Sequence, residues 1–284
     1  MNNFELKLIE SKKFAKDLPP APGKYNCRFI YPAQSGDTTG TGNGYTNTLV
    51  FADEHCPDGQ RIRMVEYQRS IGANCFPWVF ANPDGRVYPT INGAYGAKID
   101  RSKLQQWYDR NFACIVAYGV WPIPCGYCCE NSSEDYAEWD QTEIDRIAKA
   151  VVGKLDPITP FWCLVWEGNK FWKDPNKIET ICQIYRQYTK KPLTIHIQAG
   201  DGGRKGWEMA VAPSVEGVIF EWSWHPKYGE SKSVETIMKE GWEFFSHLPG
   251  KAAIAGEWTI FTDRPKAREQ RTALLKAPIY GVWN

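Results

Sequence analysis

The sequence predicts a single (β/α)8 barrel over residues 26–284, carrying a short N-terminal extension over residues 1–25. Three observations lead there. From about residue 110, short apolar runs alternate with helix-patterned stretches, the signature of successive βα units on a parallel sheet. Two earlier apolar runs bring the count to eight, and the last ends one residue before the end of the sequence, which favours closure over an open doubly wound sheet. The length of 284 residues suits one barrel of roughly 250 residues with a modest extension.

The expected strands lie at 26–32 (NCRFIYP), 72–81 (GANCFPWVFA), 112–121 (FACIVAYGVW), 161–167 (FWCLVWE), 193–199 (LTIHIQA), 217–223 (GVIFEWS), 252–258 (AAIAGEW) and 279–283 (IYGVW). A helix-like segment near 59–70 separates the first two. Asp140 and Glu143 form a capping-box pattern, after which Ile144, Ile147, Ala148, Val151, Val152 and Leu155 recur on one helical face. Asp174 followed by Pro175 predicts a cap with proline at the first helical position, and Ile178, Ile181, Cys182 and Tyr185 supply its buried stripe. Val234, Ile237, Met238, Gly241, Trp242 and Phe245 repeat that spacing in the next connection. The stretches 35–47 and 122–140 read as long loops following strands, and in a barrel that end carries the chemistry.

Composition narrows the partners. With 34 basic and 33 acidic side chains the net charge is +1, so no electrostatic footprint for nucleic acid or an anionic membrane is present. No run approaches the roughly 18 apolar residues of a membrane span, and the N-terminus lacks the apolar core of a secretory signal, so a cytoplasmic location is expected. Nine cysteines are an odd number, and most sit singly in apolar runs, which argues against a disulfide scaffold. Thirteen tryptophans are an unusual abundance, and flat indole faces suit sugar rings.

Strand residues alternate sides, so each run can be read for what it turns inward. In the seventh, Ala253, Ala255 and Glu257 share one face, and small residues pointing inward would place a carboxylate at the rim. In the fifth, Thr194, His196 and Gln198 are expected inside. Glu167 and Glu221 end the fourth and sixth runs. Around these acids stand Trp78, Trp121, Trp166, Trp222, Trp258 and Trp283. Acids at barrel strand ends point to function, whereas structural carboxylates sit on solvated helix faces. Two carboxylates across a tryptophan-lined cleft suit glycosidic cleavage, in which one protonates the leaving oxygen and the other attacks or activates water. Trp283, Trp222, Glu221, His196, Gln198, Tyr118, Trp121, Trp166, Trp78, Asn74 and Arg28 are the candidates for holding a carbohydrate.

This pattern resembles the clan A, or 4/7, superfamily of (β/α)8 glycoside hydrolases. The resemblance implies an acid/base glutamate at the end of strand four, a nucleophilic glutamate at the end of strand seven and a tryptophan at the end of strand eight. Carried onto this chain, Glu167 is the acid/base, Glu257 the nucleophile and Trp283 the floor beneath the sugar. One feature departs from it. Those enzymes place Asn directly before the acid/base, where it holds the sugar 2-hydroxyl; here Trp166 stands there, and Asn169 follows two residues after Glu167. Glu221 is the alternative acid/base.

Other signals carry less. Cys125, Cys128 and Cys129 lack the second ligand pair that a zinc site needs, so no metal and no cofactor are expected. The run GDGGRKG after the fifth strand lacks the spacing of a phosphate loop. The function expected is a retaining, endo-acting glycoside hydrolase. The alternative is a non-catalytic carbohydrate-binding or structural barrel attached through residues 1–25 to a larger particle such as a phage virion and released by lysis; a lyase on the same barrel is a third reading.

Overall fold

In the computed structural model, the structure describes residues 27–29, 75–79, 121–125, 141–165, 168–171, 174–198, 206–222, 232–256, 264–277, 279 and 281–283. The strands are β1 (Cys27–Phe29), β2 (Cys75–Val79), β3 (Trp121–Cys125), β4 (Trp162–Val165), β5 (Leu193–Ile197), β6 (Gly217–Glu221), β7 (Ala252–Gly256) and β8 (Gly281–Trp283). They pair in parallel in sequence order, and β8 returns to β1 through Cys27↔Gly281, Arg28↔Val282 and Phe29↔Trp283. The fold is the closed parallel barrel that the alternation predicts. The proposed extension over residues 1–25 lies outside the described residues.

The described helices are α1 (Gln141–Leu155), α2 (Gly168–Phe171), α3 (Pro175–Arg186), α4 (Trp207–Ala210), α5 (Val234–Ser246) and α6 (Arg264–Lys276). All six apolar positions read on the face of α1 are buried. Asp174 caps α3 by accepting from Asn176 N–H at 2.9 Å, ahead of Pro175, and Ile178, Ile181, Cys182 and Tyr185 are buried beneath it. Ser233 caps α5 through Thr236 N–H at 3.1 Å, satisfying an otherwise orphaned donor. Along α5, Val234, Ile237, Gly241 and Phe245 are buried as expected and Phe244 joins them, while Met238 and Trp242 are only half-buried.

The third strand corrects the sequence reading. It runs over Trp121–Cys125, four residues of which fall in the stretch expected to be a loop, whereas 112–120 lie outside the described residues. Pro122 and Pro124 caused the misreading, since proline normally argues against a central strand. Spaced by two, both prolines lose donors toward the same neighbour, and β3 accordingly matches β2 at five positions but β4 at one.

Register fixes the two faces of β5, β6 and β7. Phe220 stacks on Phe244 of α5, with ring centroids 4.0 Å apart, so Phe220 faces the helices. Its register partners Ile197 and Ala255, and the row Ile195, Val218 and Ala253, share that outer face. The interior rows are therefore Thr194–Gly217–Ala252, then His196–Ile219–Ile254, then Glu221–Gly256. This agrees with the inward reading of Thr194 and His196 and reverses that of β7. Ala253 and Ala255 meet the helix layer, and Ile254 and Gly256 point inward. Their small size misled the reading: the interior filled with Ile254, and the alanines leave room for helices.

Glycine at 241 permits the close contact of α5 with β6. A Cβ there would overlap the Trp222 ring, whereas one at exposed Gly153 in α1 would meet nothing within 4 Å. Helix propensity alone favours Ala over Gly by about 1 kcal/mol. Gly153→Ala should therefore raise the urea midpoint. Gly241→Ala should lower it, because overpacking costs about 1–3 kcal/mol; a gain in stability at both sites would refute the contact.

At the end where the strands begin, Arg186 ties the entries of β5 and β6 together. It donates to the Lys191 carbonyl at 2.9 Å and to the Glu216 carboxylate at 2.5 Å, and that carboxylate accepts from Leu193 N–H at 3.0 Å. A groove of about 490 Å³ lined by Lys149, Val152, Gly153, Asp156, Pro157 and Tyr188 lies at the C-terminal end of α1, on this same side. Barrel chemistry belongs to the opposite end.

Candidate active site

Parallel strands end together, so Val165, Ile197, Glu221, Gly256 and Trp283 mark one end of the barrel. Glu167 follows β4 by two residues and Glu257 follows β7 directly. Glu167, Glu257, Trp166, Tyr118 and Asn74 lie outside the described residues, as do Cys128 and Cys129. The parity on which Glu257 was read as inward is reversed within β7, so the reading of Glu257 as a site residue is left with its position in the sequence, directly after the strand.

His196 and Glu221 come together inside the barrel. His196 Nε2 lies 3.3 Å from Glu221 Oε1, and neither side chain has any exposure. Burial pushes the imidazole pKa down to about 3, because a charged ring would lose its hydration there. His196 is therefore neutral near pH 7. Gly256 leaves space for Ile219 beside the ring: a Cβ at 256 would stand 2.6 Å from Ile219 Cγ2 but at an ordinary contact distance, 3.7 Å, from His196 Cδ2. The sequence reading placed His196 and Glu221 among sugar contacts without anticipating that they meet each other. Their inward parity on adjacent strands was the available signal.

Gln198, just past β5, is held by Asn169 through two bonds of 2.9 Å. Asn169 Nδ2 donates to the Gln198 carbonyl, and Gln198 N–H donates to Asn169 Oδ1. The backbone of Gln198 is thereby engaged, and the residue is largely buried.

Two tryptophans are not where the sequence reading put them. Trp222, expected at the mouth, is buried on the outer face of β6 against Gly241 and makes an edge contact with Trp242. Alternation explains this, since it follows the inward Glu221. Trp121 opens β3 instead of closing it and pairs with Cys75, the first residue of β2, at the end away from the candidate site. Arg28, Trp78 and Trp283 are backbone positions of β1, β2 and β8, and Trp283 is level with Phe29. Among the described residues no group of three or more His, Cys, Asp or Glu could hold a metal, and no helix is long and apolar enough to cross a membrane.

Eight parallel strands closed in sequence order define the class: this is a (β/α)8 barrel. No family model matches the sequence, and no curated protein matches it. Solved structures do. The exo-β-1,4-mannosidase Op5Man5 from Opitutaceae bacterium strain TAV5 is similar over 92% of this chain and 52% of its own, with 14% identity and a TM-score of 0.59. A GH113 β-1,4-mannanase matches over 92% of this chain and 88% of its own, with 10% identity and a TM-score of 0.53. The Pseudomonas stutzeri endoglucanase Cel5A matches over 78% and 75%, with 12% identity and a TM-score of 0.52. The chain spans a little over half the length of the first structures it matches, 57% of one glycoside hydrolase and 52% of the mannosidase.

Proposed function

We propose that this protein is a retaining, endo-acting glycoside hydrolase, with Glu257 as nucleophile and Glu167 as acid/base. The observation that carries the reading is that these two glutamates follow β7 and β4 within two residues, at one end of a closed barrel whose structural neighbours are glycosidases. In the first step the Glu257 carboxylate attacks the anomeric carbon while Glu167 donates its proton to the departing glycosidic oxygen. In the second, Glu167 takes a proton from water, which releases the sugar from Glu257 with its configuration retained. This chemistry calls for carboxyl groups about 5–5.5 Å apart. Trp283 serves as the floor of the site in this reading.

Glu221 suits the acid/base role less well. A proton donor must touch the leaving oxygen, and the Glu221 side chain has no exposure and lies against His196. Its part is to hold the interior beneath the site. The named activities of the neighbours, a β-1,4-mannosidase, a β-1,4-mannanase and an endoglucanase, support β-1,4-linked mannans, and glucans, as the substrate class to test.

The test is a panel of soluble β-1,4-mannan, β-1,4-glucan and mixed-linkage polysaccharides, followed by reducing-end release and by NMR of the first-formed anomer. The expected result is chain shortening with the product anomer matching the bond cleaved. An inverted anomer would remove Glu257 as nucleophile. Binding without release across the panel would replace the enzyme reading with a carbohydrate-binding barrel, and an unsaturated, ultraviolet-absorbing product would indicate a lyase.

A further inference from the structure

Gly168, one residue after Glu167, is buried, and a Cβ on it would come within 3.3 Å of Val165 Cγ1, 3.5 Å of Ile178 Cδ1 and 3.7 Å of the His196 carbonyl. The next residue, Asn169, makes the paired bonds to Gln198. An asparagine amide carries a donor and an acceptor side by side, as a peptide group does, so it can bond to both polar groups of one residue as a neighbouring strand would. Asp supplies only the acceptor and Ala neither. Both bonds cross from the segment after β4 to the end of β5, a separation of 29 residues.

We propose that Asn169 is a positioning residue: its clamp on the end of β5 anchors the chain two residues after Glu167, and the proton-donating role of Glu167 depends on that anchor. The inference rests on the reading of Glu167 as acid/base. It also gives Asn169 a role different from the Asn that the resembling enzymes place before that residue. Its amide oxygen and one N–H are bonded to the backbone of Gln198.

Two variants and two readouts test this. Hydrogen exchange at the Gln198 amide should accelerate in Asn169→Ala and stay protected in Asn169→Asp, which keeps the acceptor. Unchanged exchange in Asn169→Ala would overturn the clamp. Activity is measured on phenyl and 2,4-dinitrophenyl glycosides of the sugar identified by the polysaccharide panel, because a dinitrophenolate leaves without a proton while a poorer leaving group needs one. Asn169→Ala should lower kcat/KM on the phenyl glycoside roughly tenfold to a hundredfold, at or below the ~10²–10⁴ that a general acid supplies. The kcat/KM of the dinitrophenyl glycoside, which reports only formation of the glycosyl-enzyme, should change less than about threefold, while its kcat and KM fall together because the second step loses its base. Equal losses of kcat/KM on the two substrates would show general structural damage and overturn the positioning role while leaving the enzyme reading intact. A wild-type protein that releases no reducing ends from any polysaccharide of the panel would remove the enzyme reading and this inference with it.

Discussion

Glu257→Gln is expected to abolish glycoside hydrolysis while leaving the barrel folded. The amide nearly matches the carboxylate in size but cannot form the covalent glycosyl bond, so the first chemical step loses its nucleophile. Losses on removing a catalytic nucleophile reach about 10⁶ in kcat where the residue acts as part of a unit; at least ~10³, or about 4 kcal/mol of transition-state stabilisation, is expected here. The fold has reason to survive, because the buried part of β7 ends at Gly256 and its interior contacts come from Ala252 and Ile254. The measurement pairs turnover on the best substrate of the panel with the thermal midpoint. Turnover within tenfold of wild type would exclude Glu257 as nucleophile, and a collapsed midpoint would make the activity loss uninformative, in which case trapping the glycosyl-enzyme on wild-type Glu257 by mass spectrometry decides.

The barrel was legible because its elements are locally consistent. Asp174 before Pro175 sets the start of α3 through one side-chain bond, and the buried positions of α1 recur at helical spacing without interruption. Where local signals conflicted with the tertiary arrangement, the reading failed. Pro122 and Pro124 lie within β3, and the apolar run before them drew the strand assignment upstream. Helix α6 escaped notice because its sequence, RPKAREQRTALLK, offers a thin apolar stripe in which Gln270 and Leu274 are buried.

The site was legible to the level of strand ends and less so in direction. Parity along one strand leaves open which of two faces is inside, and only the neighbouring strand decides it. For β5, the polar Thr194 and His196 against apolar Leu193, Ile195 and Ile197 gave the right face. For β7, both faces are small or apolar, and the choice of the alanine face was reversed by the register with Phe220. The same ambiguity put Trp222 at the mouth. Nor does a sequence reveal that an asparagine amide a few residues outside a strand will bond to another strand's backbone, since that contact depends on closure of the barrel.

The His196–Glu221 pair should give the largest stability effect of any interior substitution discussed. Both side chains are fully buried. His196 is neutral, so removing one member leaves the other's polar group facing an apolar side chain in the interior, which costs about 1–3 kcal/mol and more where that group is charged. Glu221→Leu and His196→Leu should each be strongly destabilising, and the double variant should cost less than the sum. Additivity within about 0.5 kcal/mol would show that the two do not act on each other. Acid dependence gives a second measure. The unfolded chain protonates this imidazole near the ordinary 6.5, whereas the folded state resists protonation until about 3. Between those values the unfolded state binds more protons, so this contribution is complete above about pH 6.5 and is lost as the pH falls toward 3. One proton corresponds to a slope of about 1.4 kcal/mol per pH unit. Urea unfolding between about pH 7 and 5, where most carboxylates stay ionised, should show the wild type losing stability faster than His196→Gln. Parallel curves would mean that His196 takes up its proton in the folded barrel as readily as in the unfolded chain, and the interior beneath the candidate site would then tolerate a charge that its burial is expected to exclude.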